Sequence, residues 1–205
     1  TSHRPVLSHG AVSSIFVIFL TSGAMFGAND VAVVAFATEL GQKSAAGAAL
    51  AAWAAGSFLA ALAYGSRSWG WPLWKQLAAG ALALALGAST FAVAPNLAVL
   101  SALYALTGLA IAPTITSGNN IIQVTVAPSQ LTEGLAWVST ALNIGVSLGS
   151  LIAGRVLDAS GSRGGYLLVA GFAWTGAAVA AGSLPILRRV RTHSRIPLEG
   201  RADER

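Results

Sequence analysis

Asp30 is the only ionisable side chain deep inside any of the long apolar runs of this sequence. A charge at mid-depth in a bilayer costs at least ~2.5 kcal/mol on insertion scales, so an acid there normally faces a cavity or a partner and is functional by default. Hydrocarbon surroundings make a carboxyl group resist ionisation, which suits a group that takes up and releases a proton; its charged form suits pairing with a cationic solute. The plainer alternative is a protonated Asp that hydrogen-bonds a neighbouring helix. A second set, Thr116, Asn119, Asn120 and Gln123, recurs at intervals that place one polar stripe along one helix face. The stretch Gly27-Ala28-Asn29-Asp30 is echoed by Ser117-Gly118-Asn119-Asn120, as expected where two related repeats each bring a polar helix to a shared site. Asp30 is therefore the candidate for proton or cation coupling. Phe26, Asn29, Thr116, Asn119, Asn120, Gln123 and Asn143 are candidates for lining a solute pathway. Taken singly, an amide or hydroxyl of this kind also serves as interhelical glue, at about 0.6 kcal/mol.

Other chemistries lack their residues. His3, His9 and His193 all lie outside the apolar runs, which removes a Ser–His pair or a His-bound metal within a bilayer. Without cysteine there is no disulfide framework, thiol nucleophile or Cys-based metal site. No catalytic set, metal site or cofactor is assigned, the chain is not expected to be an enzyme, and a proton gradient is the expected driving force. A water or solute channel with paired Asn-Pro-Ala motifs is also not indicated, since Pro95-Asn96 reads as a turn. The formal charge of +5 would suit nucleic acid only if it formed a basic face on a folded domain. Here the excess lies in Arg188, Arg189, Arg191, Arg195, Arg201 and Arg205, directly after an apolar run, so membrane topology accounts for it and no nucleic-acid partner is expected.

The elements that must position these residues follow from composition. Of the 205 residues 55% are hydrophobic and 9% charged, against about 25% charged in soluble domains. Ten of the nineteen charged residues lie in 1–4 or after Leu187, so the middle of the chain is almost uncharged. It offers six apolar runs, at 12–38, 44–64, 76–93, 97–126, 131–157 and 166–187, each close to the roughly 20 residues a spanning helix needs. Helices are the expected form, because the runs are continuous rather than alternating. The fold class predicted is thus all-α and membrane-embedded, six transmembrane helices in one bundle. Asn29-Asp30 interrupts the first run, Pro113 predicts a kink in the fourth, and a Gly/Ser-rich turn is expected at 160–165. Small residues at four-residue spacing, Ala52, Gly56, Ala60 and Gly145, Gly149, Ala153, with Gly154 beside them, are the expected packing contacts. The first and fourth spans and parts of the second and fifth are expected to line a pathway, and the third and sixth to face lipid.

Topology follows from the basic residues. An even number of spans puts both termini on one side, and the Arg-rich tail makes that side cytoplasmic. Nine basic residues then lie inside and three, Lys43, Arg155 and Arg163, outside. Trp69, Trp71 and Trp74 in the 65–75 loop fit an interfacial aromatic belt. The domains expected are a cytoplasmic N-terminal segment at 1–10, a transmembrane bundle at 11–187 and a basic cytoplasmic tail at 188–205. Residue 1 is Thr and the only methionine, Met25, lies inside the first run, so the chain is expected to be a fragment of a longer protein.

Several stretches resemble the C-terminal half of a major facilitator superfamily transporter, in particular the bacterial drug and metabolite efflux branch. They are Phe26-Gly27-Ala28-Asn29-Asp30 with 33–41, Ala55-Gly56-Ser57, Tyr64-Gly65-Ser66-Arg67, Thr132-Glu133-Gly134-Leu135-Ala136-Trp137 and the glycine-spaced 145–154. The family's cytoplasmic loop motif survives only as Gly65 and Arg67, and Ser150 stands where the antiporter motif has a proline. The resemblance implies a 3+3 inverted repeat, residues 1–10 as the remnant of a central loop, and a multi-pass protein of the inner (cytoplasmic) membrane. It further implies proton-coupled efflux of a small molecule by alternating access, two six-helix bundles rocking about a central site. The partners it implies are the lipid bilayer, a small-molecule substrate and a missing N-terminal six-helix half. A self-contained six-span protein acting as a homodimeric carrier or channel, with a second copy as partner, is the alternative.

Overall fold

In lipid a spanning segment must satisfy its own backbone hydrogen bonds, which makes the helix the default, and every regular element among the described residues is helical. The computed structural model describes residues 6–67 and 69–190; Arg4 and the tail from Arg191 onward lie outside them. The elements are α1 (Gly10–Glu39), α2 (Ala46–Gly65), α3 (Leu73–Phe91), α4 (Leu97–Gly108), α5 (Ile111–Thr125), α6 (Leu131–Gly182) and α7 (Leu184–Leu187).

Among the described residues four segments are long and apolar enough to cross a membrane, Gly10–Glu39, Lys43–Gly65, Leu97–Thr125 and Pro128–Gly182. The last spans 55 residues, roughly 80 Å of helix against a hydrocarbon core of about 30 Å. It is broken at Gly161, whose φ of 64° and ψ of −169° leave the helical region for a conformation that favours glycine. The turn expected over 160–165 is therefore narrower than its composition suggested, because helix resumes at once after a single glycine.

Two other expectations about breaks resolve differently. α1 runs unbroken through Asn29-Asp30, since two polar side chains do not interrupt backbone hydrogen bonding. The fourth run does break, between α4 and α5. Pro113 offers no N–H and its ring excludes the carbonyl of Leu109, and the N–H groups of Leu109 and Ala110 bond back three residues, to Leu106 and Thr107 at 3.3 and 3.0 Å.

α1 forms the axis of the bundle, clasped between the two arms of α6. Its Gly23 and Gly27 and the first arm's Gly145 and Gly149 interlock. A Cβ on Gly23 or Gly27 would lie 2.1 or 2.0 Å from the carbonyl oxygens of Leu142 and Val146, and one on Gly145 or Gly149 would lie 2.1 or 2.0 Å from those of Leu20 and Ala24. These contacts advance together, so α1 and the first arm are parallel. The second arm runs the other way, Gly165 facing Ala32 and Gly176 facing Thr21. α2 crosses α4 with Gly56 against the Ala105 carbonyl and Gly108 against that of Trp53. α3 lies along α4 and α5 with Gly87 on Thr107 and Gly80 on Thr114. The outer surfaces of α3 and the second arm are apolar, exposing Leu82, Leu86 and Leu167. Gly154, expected among the packing glycines, is not one: a Cβ there would meet nothing within 4 Å, because Ala153 occupies the buried register.

Candidate functional site

The polar residues of α1 divide between two directions. Asn29 is only 1% exposed and accepts a hydrogen bond at 2.6 Å from the Tyr104 hydroxyl, which lies 3.2 Å from the hydroxyl of Tyr166. This buried chain ties α1, α4 and the second arm of α6 together. Asp30 is one residue on, about 100° around the helix, and is exposed on the bundle surface. Asn29 takes the inward position, and the next residue along the helix falls at the surface.

Phe26 stands one turn before Asp30 on the same side of α1. Its ring meets Trp53 edge-on at 6.2 Å, and both rings help line an open recess of about 390 Å³ between α1, α2 and α5, with Ser57 and Ile111 on its other sides. Trp53 in turn contacts Tyr104 at 4.8 Å and Phe91 at 5.6 Å, so the wall of the recess is braced by the same tyrosine that holds Asn29. Asp30 lies further along the face of α1 that opens onto this recess.

α5 packs through Thr114, Ser117, Gly118, Ile121 and Ile122. Thr116, Asn119 and Asn120 are half-buried and Gln123 is exposed, all at positions between those contacts, and none makes a side-chain hydrogen bond among the described residues. The stripe predicted from spacing is present as an unpacked polar face. Asn143 lies apart from it. It is exposed and donates to the Ser139 carbonyl of its own helix at 2.9 Å, on the side of α6 away from the α1 glycines. The structure thus brings Phe26 and Asp30 to one face of α1 and the α5 amides to another unpacked face, while Asn29 is bonded to Tyr104 inside the bundle and Asn143 bonds its own helix.

Gly65 meets no neighbour within 4 Å, and the Arg67 guanidinium sits 5.9 Å from the Trp69 ring centre. Three groups escaped the sequence reading. Tyr104 and Tyr166 carry the buried chain, and the signal was a phenol inside an apolar run, which must find a partner. Glu39 was unread as well. Its carboxylate accepts from the Ser162 N–H at 2.8 Å and the Ser162 hydroxyl at 2.5 Å, capping the helix that restarts after Gly161. Nothing local in the sequence links positions 39 and 162.

Comparison with known proteins adds a decisive observation: residues 15–201 match the Major Facilitator Superfamily. The chain belongs to that superfamily. Its members are membrane transporters and not enzymes, so this is a membrane-embedded transport protein, in a lipid bilayer and acting on a small molecule. No individual curated protein matches. In a superfamily transporter the unpacked polar faces of α1 and α5 are the natural candidates for contact with solute.

Proposed function

We propose that the chain is the C-terminal half of a major facilitator permease that exports a small molecule by alternating access in exchange for protons. In this reading the bundle has six spans: α1, α2, α3, the kinked pair α4–α5 and the two arms of α6, arranged as a 3+3 inverted repeat. Both termini are cytoplasmic, in the inner membrane.

The observation that carries the reading is that Asp30, Thr116, Asn119, Asn120 and Gln123 stand on unpacked faces of α1 and α5 in an otherwise apolar protein. Facing acyl chains, an aspartate alone would cost about 2.5–3.5 kcal/mol. Facing water enclosed by a second bundle, it costs far less and can exchange protons. The N-terminal six-helix half supplies that second bundle, so the binding site is shared between halves.

Asp30 binds and releases the proton, or pairs with a cationic solute, while Phe26, Thr116, Asn119, Asn120 and Gln123 contact the solute. The test is transport by the full-length protein in proteoliposomes. Asp30→Asn is expected to abolish flux driven by a pH gradient while leaving counterflow exchange of solute measurable. Undiminished pH-driven flux with unchanged pH dependence in that variant would disprove the coupling role.

A further inference from the structure

We infer that the bundle carries a seat for an anionic phospholipid of the adjoining leaflet, built on Trp74 at the end where α3 begins and α7 ends. The Arg188 guanidinium lies 4.6 Å and the Lys75 ammonium 5.4 Å from the centre of the Trp74 ring. Trp74 and Arg188 also line a recess of about 220 Å³, together with Leu73, Ile121, Leu187 and Val190. Two cations at an aromatic plate, one of them bordering a recess walled largely by aliphatic side chains, match a molecule that has a negative head and a hydrocarbon body in one piece.

The charge at this end is predominantly positive. This end of the bundle presents Arg67, Lys75, Arg188 and Arg189 against a single described acid, Glu133 in the first turn of α6. Neither Lys75 nor Arg188 has a carboxylate partner among the described residues. Trp69 and Trp71 beside them are 47% and 62% exposed, the arrangement of an interfacial belt at headgroup level. A free phosphate ion would satisfy the cations and leave the recess unfilled; a neutral lipid would fill the recess and leave the cations unneutralised.

The test uses the full-length protein in detergent with equal amounts of phosphatidylglycerol and phosphatidylcholine, and native mass spectrometry to count retained lipid. Phosphatidylglycerol is expected to be retained over phosphatidylcholine by about tenfold, with the preference weakening as salt is raised. The preference should fall towards parity in Lys75→Gln with Arg188→Gln, although Arg189, Arg191, Arg195, Arg201 and Arg205 are all still present. Inorganic phosphate should not displace the lipid. Equal retention of the two lipids, a preference that survives the double substitution, or displacement by phosphate would each overturn the proposal. Should the double variant not purify as a folded protein, Arg188→Gln alone must cut the ratio at least twofold, and an unchanged ratio counts against the seat.

Discussion

Tyr104 decides which of two adjacent polar residues on α1 is held in the bundle. Its hydroxyl bonds Asn29 at 2.6 Å, so the amide turns inward and the neighbouring carboxylate of Asp30 is left on the surface. Tyr104→Phe removes that donor and leaves a buried amide oxygen unpaired, a loss of about 1–3 kcal/mol. Tyr166→Phe leaves the Asn29 bond intact and removes only the 3.2 Å hydroxyl contact. Thermal unfolding in detergent should therefore fall markedly for Tyr104→Phe and by less than half as much for Tyr166→Phe. Equal losses in the two variants would mean that Asn29 is not what the chain of hydroxyls holds. The same division explains why Asn29 and Asp30, alike as a polar pair in the sequence, cannot share a role: one fixes α1 to α4, and the other is free to meet solute or proton.

At the scale of the helices, the central joint is the pairing of Gly23 and Gly27 with Gly145 and Gly149. Gly149→Ala would place a methyl 2.0 Å from the Ala24 carbonyl oxygen, so α1 and the first arm must part, at about 1–3 kcal/mol. Gly154→Ala meets nothing within 4 Å and should be neutral or gain up to about 1 kcal/mol of helix propensity. Chemical denaturation in mixed micelles distinguishes them, and comparable losses would refute the assigned register. Spacing alone found Gly145 and Gly149, because a four-residue repeat of small side chains is visible along one helix. Gly154, grouped with them only because it lies beside Ala153, is off that spacing, and one residue of offset moves a side chain out of the interface. Of the partners of Gly145 and Gly149, Gly27 was readable only as a motif letter and Gly23 not at all, because a packing contact belongs to two helices and a sequence shows one at a time. Breaks fared likewise. Pro113 announced its kink through lost backbone chemistry, whereas the turn at 160–165 was read from composition and proved to be one glycine, with the Glu39 to Ser162 cap across 123 positions invisible locally.

For the molecule as a whole, the question is which faces meet water and which meet lipid. Basic residues alone do not decide it among the described residues: Arg67, Lys75, Arg188 and Arg189 lie at one end and Lys43, Arg155 and Arg163 at the other. The nine-to-three asymmetry read from the sequence rests on Arg4, Arg191, Arg195, Arg201 and Arg205, which lie outside the described residues. The exposed side chains are a stronger guide. α3 and the second arm of α6 expose Leu82, Leu86 and Leu167, whereas α5 exposes amides with no partner. Because the 205 residues contain no cysteine, every thiol introduced into the chain is its only one, and accessibility can be read position by position. Thr116→Cys, Asn120→Cys and Gln123→Cys in membrane vesicles should react with a charged, membrane-impermeant thiol reagent, since only ionised thiolate in contact with water reacts appreciably. Leu82→Cys, Leu86→Cys and Leu167→Cys should be silent at the same dose. If α5 lines a gated path, the reaction at Asn120→Cys should also be slowed severalfold by transported solute, which a merely water-exposed loop would not show. A silent α5 with reactive leucine positions would turn the bundle inside out relative to this reading and remove the basis for a solute path along α1 and α5.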